Sequence, residues 1–290
     1  MIHAHWFIAC AQLGLGIIWS LLLWALKIRK LPNLSKSDIV KCVPIGLCSS
    51  AAHACSVLAS GAGAVSFAQI VKACEPVFAA IIGVVVPPSE VKPVLAYIML
   101  VLIVAGVGLA CVKDGETTIS VNMVVFAYAS AANLAASFKG KLGHSVTHSL
   151  KADKSKNMDS ANVYAVMNMI AFCWCVPMVV INELPTLSKE WEHAVETHGL
   201  QPLVTNIALS GFFYYIYNEF AFAFTSNVGP VTSSVLNTAK RVIIIVVSAV
   251  MFNEGLGRNK IVGSAVAILG TFLYSYFSTK KAEVVKSKKE

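Results

Sequence analysis

The chain has 290 residues, of which 57% are hydrophobic and only 13% charged, and a mean hydropathy of +0.70. This balance excludes a soluble globular domain, and no segment shows the ten-residue alternation of an outer-membrane barrel, so the expected class is all-α: a polytopic membrane helix bundle. The net charge of +8 sits in loops and the tail, so it reports membrane topology and points away from nucleic acid.

Nine apolar spans follow one another: Trp6–Leu26, Ile39–Leu58, Ala64–Val86, Val94–Val112, Val121–Phe138, Val163–Ile181, Leu203–Phe224, Val228–Phe252 and Ile261–Phe277. Met1 runs almost directly into the first, leaving no visible cleavable signal or transit peptide. Each span approaches the roughly 20 residues that a membrane helix needs. Loop one carries Arg29, Lys30 and Lys36; loop five carries Lys139, Lys141, Lys151, Lys154 and Lys156; the tail from Lys280 is basic. The opposite face holds Asp114, Glu116, Glu183, Glu190, Glu192, Glu196 and Glu254. Nine spans produce this split, and one helix more or fewer scrambles it, with the tail on the positive-inside face.

Two spans resemble each other. The third reads Gly63-Ala-Val65-Ser66 and then Lys72; the eighth reads Gly229-Pro-Val231-Thr232 and then Lys240. His53 lies 10 residues before Gly63, and Tyr217 lies 12 before Gly229. The copies are offset by five helices, an odd number, which inverts the second in the membrane; inverted repeats are a transporter signature. The expected organisation is one transmembrane domain, with residues 1–112 as the first repeat, 121–279 as the second and 280–290 as a basic tail. The fifth span then has no partner, which implies a ten-helix, five-plus-five bundle whose first helix is missing from the first repeat.

The eighth span carries the strongest chemical signal. Lys240 and Arg241 lie near its middle, where each cation costs roughly 2.5–3.5 kcal/mol to insert. Lys240 is about a dozen residues from either end, roughly 18 Å of helix rise, too deep to reach the headgroups by snorkelling. The pair is expected to face a water-filled cavity and hold an anion. Lys72 repeats that cation in the third span. Glu75, one turn on, either pairs with Lys72 or makes a structural contact elsewhere, and Pro76 interrupts the hydrogen-bond ladder beside it. The eight cysteines lie in or beside apolar stretches, and Cys173-x-Cys175 lacks zinc-site spacing. No HExxH, carboxylate-rich metal motif or Ser-His-Asp set is visible, so no catalytic residue, metal or cofactor is expected.

The segments VSFAQIVKACEPVF (65–78), MDSANVYA (158–165), FFYYIYNEFAF (212–222) and VGPVTSSVLNTAKRVIIIVVS (228–248) resemble those of the plastidic phosphate translocators, within the drug/metabolite transporter superfamily. The resemblance runs from about Trp6 to Phe277. It implies an antiporter in a plastid membrane that exchanges inorganic phosphate for phosphorylated three-carbon metabolites: triose phosphate, 3-phosphoglycerate or phosphoenolpyruvate. Hexose- or pentose-phosphate exchange and nucleotide-sugar transport remain open alternatives, because Ala68 and Gln69 replace a commoner Thr-His pair. The resemblance assigns phosphate binding to Lys72, Lys240 and Arg241. It assigns cavity lining to His53, Ser56 and Tyr217, and it brings Lys139 near a position that is often arginine. By their residue types alone, His53 and Ser56 equally suit structural roles, and Lys139 suits a loop anchor.

Overall fold

The computed structural model describes residues 4–87, 92–112, 121–227, 230–255 and 257–287, apart from the side chains of 144–145, 225–235, 238 and 279–287. Gly229, residues 230–232 after it in the eighth span, the loop acids Asp114 and Glu116, and the tail lysines therefore lie outside the described residues or side chains. The helices are α1 (His5–Ala25), α2 (Lys36–Gly61), α3 (Val65–Lys72), α4 (Glu75–Val85), α5 (Val94–Ala110), α6 (Met123–Ala152), α7 (Ser160–Asn182), α8 (Leu184–His198), α9 (Leu200–Asn227), α10 (Pro230–Met251) and α11 (Arg258–Ser287). The chain is a polytopic helical membrane protein. Among the described residues, five stretches are long and apolar enough to cross a bilayer, α3 and α4 counting as one, and α5 is a shorter apolar helix.

Three departures from the hydropathy reading have physical causes. The third span is broken in two: α3 ends at Lys72 and α4 starts at Glu75. α6 runs on past Phe138 to Ala152, because Leu150 is buried in a cluster with Cys42, Ile45, Met158 and Val163. α8 carries too few apolar residues to register as a span. Its Leu187, Trp191 and Ala194 pack on Ala4, Phe7, Leu203 and Ile207, and Gly199, at φ 80°, ends it in a conformation that only glycine adopts readily.

The helices form two compact units, Met1–Leu58 with Phe138–Asn227 and Ala59–Ser137 with Val228–Glu290. Each unit therefore draws helices from both sequence repeats.

In the first unit α1 packs against α7 and α9. Its buried stripe is Ala9, Leu13, Gly16 and Ser20 at helical spacing, and the three small residues among them let neighbours approach closely. Gly16 accommodates the Tyr215 ring, and the Ser20 hydroxyl lies 2.7 Å from the Tyr215 hydroxyl. The start of α1 meets the end of α7, where the Glu183 carboxylate accepts the amides of Trp6 at 2.9 Å and Phe7 at 2.7 Å. Its other end meets the start of α7, where the Trp24 indole donates to Asn162 at 3.0 Å. The two helices are antiparallel.

The second unit repeats this construction. α10 packs on α3, and Glu254, just beyond α10, accepts the amides of Val65 at 2.7 Å and Ser66 at 3.0 Å at the start of α3. α3 and α10 are thus also antiparallel. α5 and α11 cross at two small-xxx-small pairs, Gly106 with Ala110 and Gly263 with Ala267. A Cβ on Gly106 would stand 2.5 Å from the Ala267 nitrogen and 2.8 Å from the Gly263 oxygen, so the backbones touch.

The carboxylate caps satisfy helix amides that have no partner within the helix. Glu254→Ala is expected to lower the stability of the protein by about 1–3 kcal/mol, because it removes two charge-assisted hydrogen bonds. Glu254→Gln should recover part of that loss, since its amide oxygen still accepts one amide proton. Thermal unfolding of the two variants in detergent checks this ordering.

Candidate functional site

Pro76 has no N–H, so the ladder of the third span cannot continue through Lys72. Ala73 and Cys74 form a turn instead: Ala73 N–H donates to Ile70 O at 3.0 Å and Cys74 N–H to Val71 O at 3.0 Å. A broken helix at membrane depth needs other donors for its exposed carbonyls. Asn133, fully buried on α6, donates from Nδ2 to Val71 O at 3.1 Å. The Thr271 hydroxyl on α11 is shared between Ala73 O at 3.2 Å and Ala267 O at 2.9 Å. Asn133 Oδ1 has no hydrogen-bond partner among the described residues, so an acceptor stands open beside the break.

Two of the candidate cations meet this break. Lys72 is the last residue of α3 and is partly buried. Arg241, on α10, donates from Nη2 to Glu75 Oε2 at 2.7 Å, and its side chain is only 12% exposed against 42% for Glu75. Lys240 precedes Arg241 and is likewise partly buried. Glu75 makes a contact with Arg241, a partner that neither reading of the sequence named. Arg241 thus carries a carboxylate counter-charge. Among the described residues only one guanidinium nitrogen is engaged by Glu75, and the rest of the planar fork is unused by it.

The remaining candidates lie in the other unit. His53, on α2, is buried, and its ring stacks on Tyr214 with centroids 4.1 Å apart. The Ser56 hydroxyl donates to Ala52 O at 2.6 Å, the back-bonding expected of a helical serine. Tyr217, on α9, is 40% exposed. Lys139, on α6, is partly buried.

Sequence reasoning passed over a buried polar network of this unit. Arg29 binds Glu219 through both terminal guanidinium nitrogens, Nη1 at 3.2 Å and Nη2 at 2.5 Å, with side chains only 14% and 17% exposed. Tyr215, two residues before the chosen Tyr217, is fully buried and bonded to Ser20. A signal was present: Glu219 is a carboxylate inside the apolar run FFYYIYNEFAF, and an ionisable residue within a span marks function or a buried partner.

Comparison with known proteins identifies the family. The sequence model of the Triose-phosphate Transporter family matches residues 1–275. The chain is 30% identical over 284 residues to the triose phosphate/phosphate translocator, chloroplastic, of Zea mays, covering 98% of this chain and 66% of that protein. It is 29% identical to the corresponding protein of Solanum tuberosum, covering 98% of this chain and 66% of that protein. It is also 29% identical to the xylulose 5-phosphate/phosphate translocator, chloroplastic, of Arabidopsis thaliana, covering 96% of this chain and 64% of that protein. The chain thus spans about two thirds of the length of these curated relatives.

Proposed function

Since the chain belongs to the Triose-phosphate Transporter family, a family of transporters and not of enzymes, we propose that it is a secondary antiporter exchanging inorganic phosphate for phosphorylated metabolites across a plastid membrane. Three-carbon phosphates (triose phosphate, 3-phosphoglycerate, phosphoenolpyruvate) are its preferred organic substrates. The chloroplastic triose phosphate/phosphate translocators it resembles support both the substrate and the location. The observation that carries the reading is the interrupted helix with Lys72 at the break and Arg241 bound beside it to Glu75. Transporters place substrate at discontinuous helices near the bilayer midplane.

In this reading Lys72, Lys240 and Arg241 hold the phosphate. Phosphate esters carry between one and two negative charges near neutral pH, and moving one through a low-dielectric interior requires fixed positive charge. Arg241 supplies a planar fork for two oxygens, while the lysines supply point charges. Without substrate, Glu75 stands in as the anion on Arg241; phosphate displaces it. His53, Ser56, Tyr217 and Lys139 line the path of the organic part. The nine-span, five-plus-five inverted repeat is supported by the pairings α1 with α7, α3 with α10 and α5 with α11. Each pair joins helices related by the five-helix offset, and inversion requires the antiparallel contacts seen in the first two. Alternating access about that repeat moves the substrate.

The test is uptake of labelled triose phosphate into liposomes. Uptake is expected only when phosphate or another phosphorylated substrate is inside, and phosphate-free triose or glucose should not compete. Uptake into liposomes lacking a counter-substrate would indicate a channel, and strong competition by free sugar would reject a phosphate-centred site. Xylulose 5-phosphate belongs in the same panel, because the Arabidopsis relative is about as similar as the triose phosphate translocators. If it outcompetes triose phosphate, the carrier prefers pentose phosphate.

A further inference from the structure

The first unit holds a second concentration of positive charge that the transport reading does not use. The loop after α1, the end of α6 and the start of α7 enclose a cavity of about 790 Å³. Its charged wall consists of Arg29, Lys30, Lys151, Lys154, Asp153 and Asp159. A volume of this order lies within the 300–1,000 Å³ typical of small-molecule sites. The MDSAN segment, which carries part of the family resemblance, forms one side of it.

The wall is a built frame. Asn162 is buried, accepts the Trp24 indole on Oδ1 at 3.0 Å, and donates from Nδ2 to Lys30 O at 2.9 Å and Asn157 O at 2.7 Å. Asn157 in turn donates to Leu31 O at 3.1 Å, and Asn33 N–H to Lys156 O at 2.9 Å. These bonds stitch the two loops together and fix the backbone of Lys30 at the rim.

Most charges in the wall already have partners. Arg29 is held by Glu219. Lys151 donates to Ser160 at 2.8 Å and lies 5.2 Å over the Phe222 ring. Asp159 caps α7 through the Asn162 amide at 2.8 Å. The Ser155 hydroxyl and amide hold Asp153 below the ordinary carboxylate range. Lys30 and Lys154 differ: among the described residues neither side chain makes a hydrogen bond or ion pair. The first turn of α7, the positive end of its dipole, lines the same cavity.

We propose that this cavity is a second anion site, separate in its residues from the cations of α3 and α10, which binds a phosphate-bearing anion through Lys30 and Lys154 with Lys151 beside them. Three ammonium groups on flexible stems and a helix end suit a multiply charged tetrahedral anion better than a single carboxylate. The phosphate belongs either to a soluble phosphorylated compound or to an anionic lipid headgroup, and the two sources are separable by experiment.

The probe for the first source is inorganic phosphate, titrated against the full chain in neutral detergent with sodium chloride at matched ionic strength. The probe for the second is incorporation into phosphatidylcholine nanodiscs with or without phosphatidylglycerol. Thermal unfolding is compared for wild type, Lys30→Gln/Lys154→Gln, and the control Lys27→Gln/Lys36→Gln, which removes two charges flanking Lys30, from the loop after α1 and the start of α2, outside the cavity. The substituted side chains at 30 and 154 are exposed, so both double variants should fold like wild type without ligand. Expected is a loss of about tenfold or more in the apparent affinity for phosphate in Lys30→Gln/Lys154→Gln alone, or a loss of phosphatidylglycerol stabilisation in that variant alone. The first outcome assigns a soluble ligand and the second a lipid. The proposal is overturned if neither probe separates this variant from wild type, if the control shows the same loss, or if chloride at matched ionic strength reproduces the effect. Counter-exchange in phosphate-loaded liposomes is a separate readout, so failure here leaves the proposed antiport standing or falling on its own test.

Discussion

Gly106→Val should destabilise the protein by on the order of 3 kcal/mol or more, in the upper range for overpacking a filled interface. Even a single added carbon would lie 2.5 Å from the Ala267 nitrogen and 2.8 Å from the Gly263 oxygen. Both are backbone atoms, so no side chain can rotate away, and α5 must separate from α11. Separation breaks more than the local contact. Ile103 packs into the space left by Gly270, and Ile70, Ala73, Val107, Ala110, Ile245 and Ala267 share one apolar cluster. Gly108, two residues along α5, has nothing within 4 Å of its added carbon. Gly108→Ala should therefore be neutral or slightly stabilising, because alanine favours helix by up to ~1 kcal/mol over glycine. Unfolding midpoints and size-exclusion profiles of the two variants make the comparison. If Gly106→Val melts like wild type, α5 and α11 do not touch as described.

The largest functional effect is expected from Arg241. Arg241→Ala should abolish measurable exchange: each charge-assisted bond to phosphate contributes roughly 1.5–3 kcal/mol, and losing one weakens binding roughly ten- to a hundredfold. Phosphate should then cease to protect the variant against heating, since ligand stabilisation follows affinity for the folded state. Arg241→Lys should be rescued only in part, because a point charge cannot bind two oxygens as the fork does. A site of three uncompensated cations would gain stability when one is removed. The Glu75 contact removes that expectation, because Arg241→Ala also deprives a carboxylate of its partner. The unliganded melting point should thus hold or fall slightly, the loss being limited by the 42% exposure of Glu75. Glu75→Gln should act in the opposite sense on ligand: with its internal competitor weakened, Arg241 binds phosphate more tightly and thermal protection by phosphate grows. If Arg241→Ala keeps both uptake and protection, the phosphate site lies elsewhere.

Apolar runs carried most of the fold on their own, because a span in lipid must be long and unbroken by charge. What escaped them was structure made by amphipathicity or by distance along the chain. α8 buries only one stripe, so Trp191 and Ala194 are diluted by Glu190, Glu192 and Glu196 in any hydropathy average. Pro76 announced a weakened ladder, but the turn at Ala73 and Cys74 depends on Asn133 and Thr271, 62 and 198 residues from the carbonyls they serve. Lys240 and Arg241 stood out because mid-span charge is costly. Their repeat mate Lys72 could be named, yet the partner of Arg241 could not, because Glu75 is 166 residues away and lies nearer in sequence to Lys72. Glu219 was hidden the same way: its partner Arg29 sits 190 residues earlier, in a loop read only for its positive charge.

The interleaving of the two units has a consequence for how the protein is made. Residues up to Leu58 belong with Phe138–Asn227, and Ala59–Ser137 with everything from Val228 onward. A ribosome therefore releases neither unit as a continuous block, and α1 must wait in the bilayer until α7 and α9 have been synthesised. α5 waits longer: its bare glycine face finds α11 only after five further helices, α6 to α10, have emerged. During that interval Gly106 and Ala110 face lipid or a holding chaperone, and Glu183 and Glu254 have yet to arrive to cap α1 and α3. Assembly is obliged to be late and concerted. A nascent chain arrested before α10 should consequently be a quality-control substrate, even though most of its helices are already inserted.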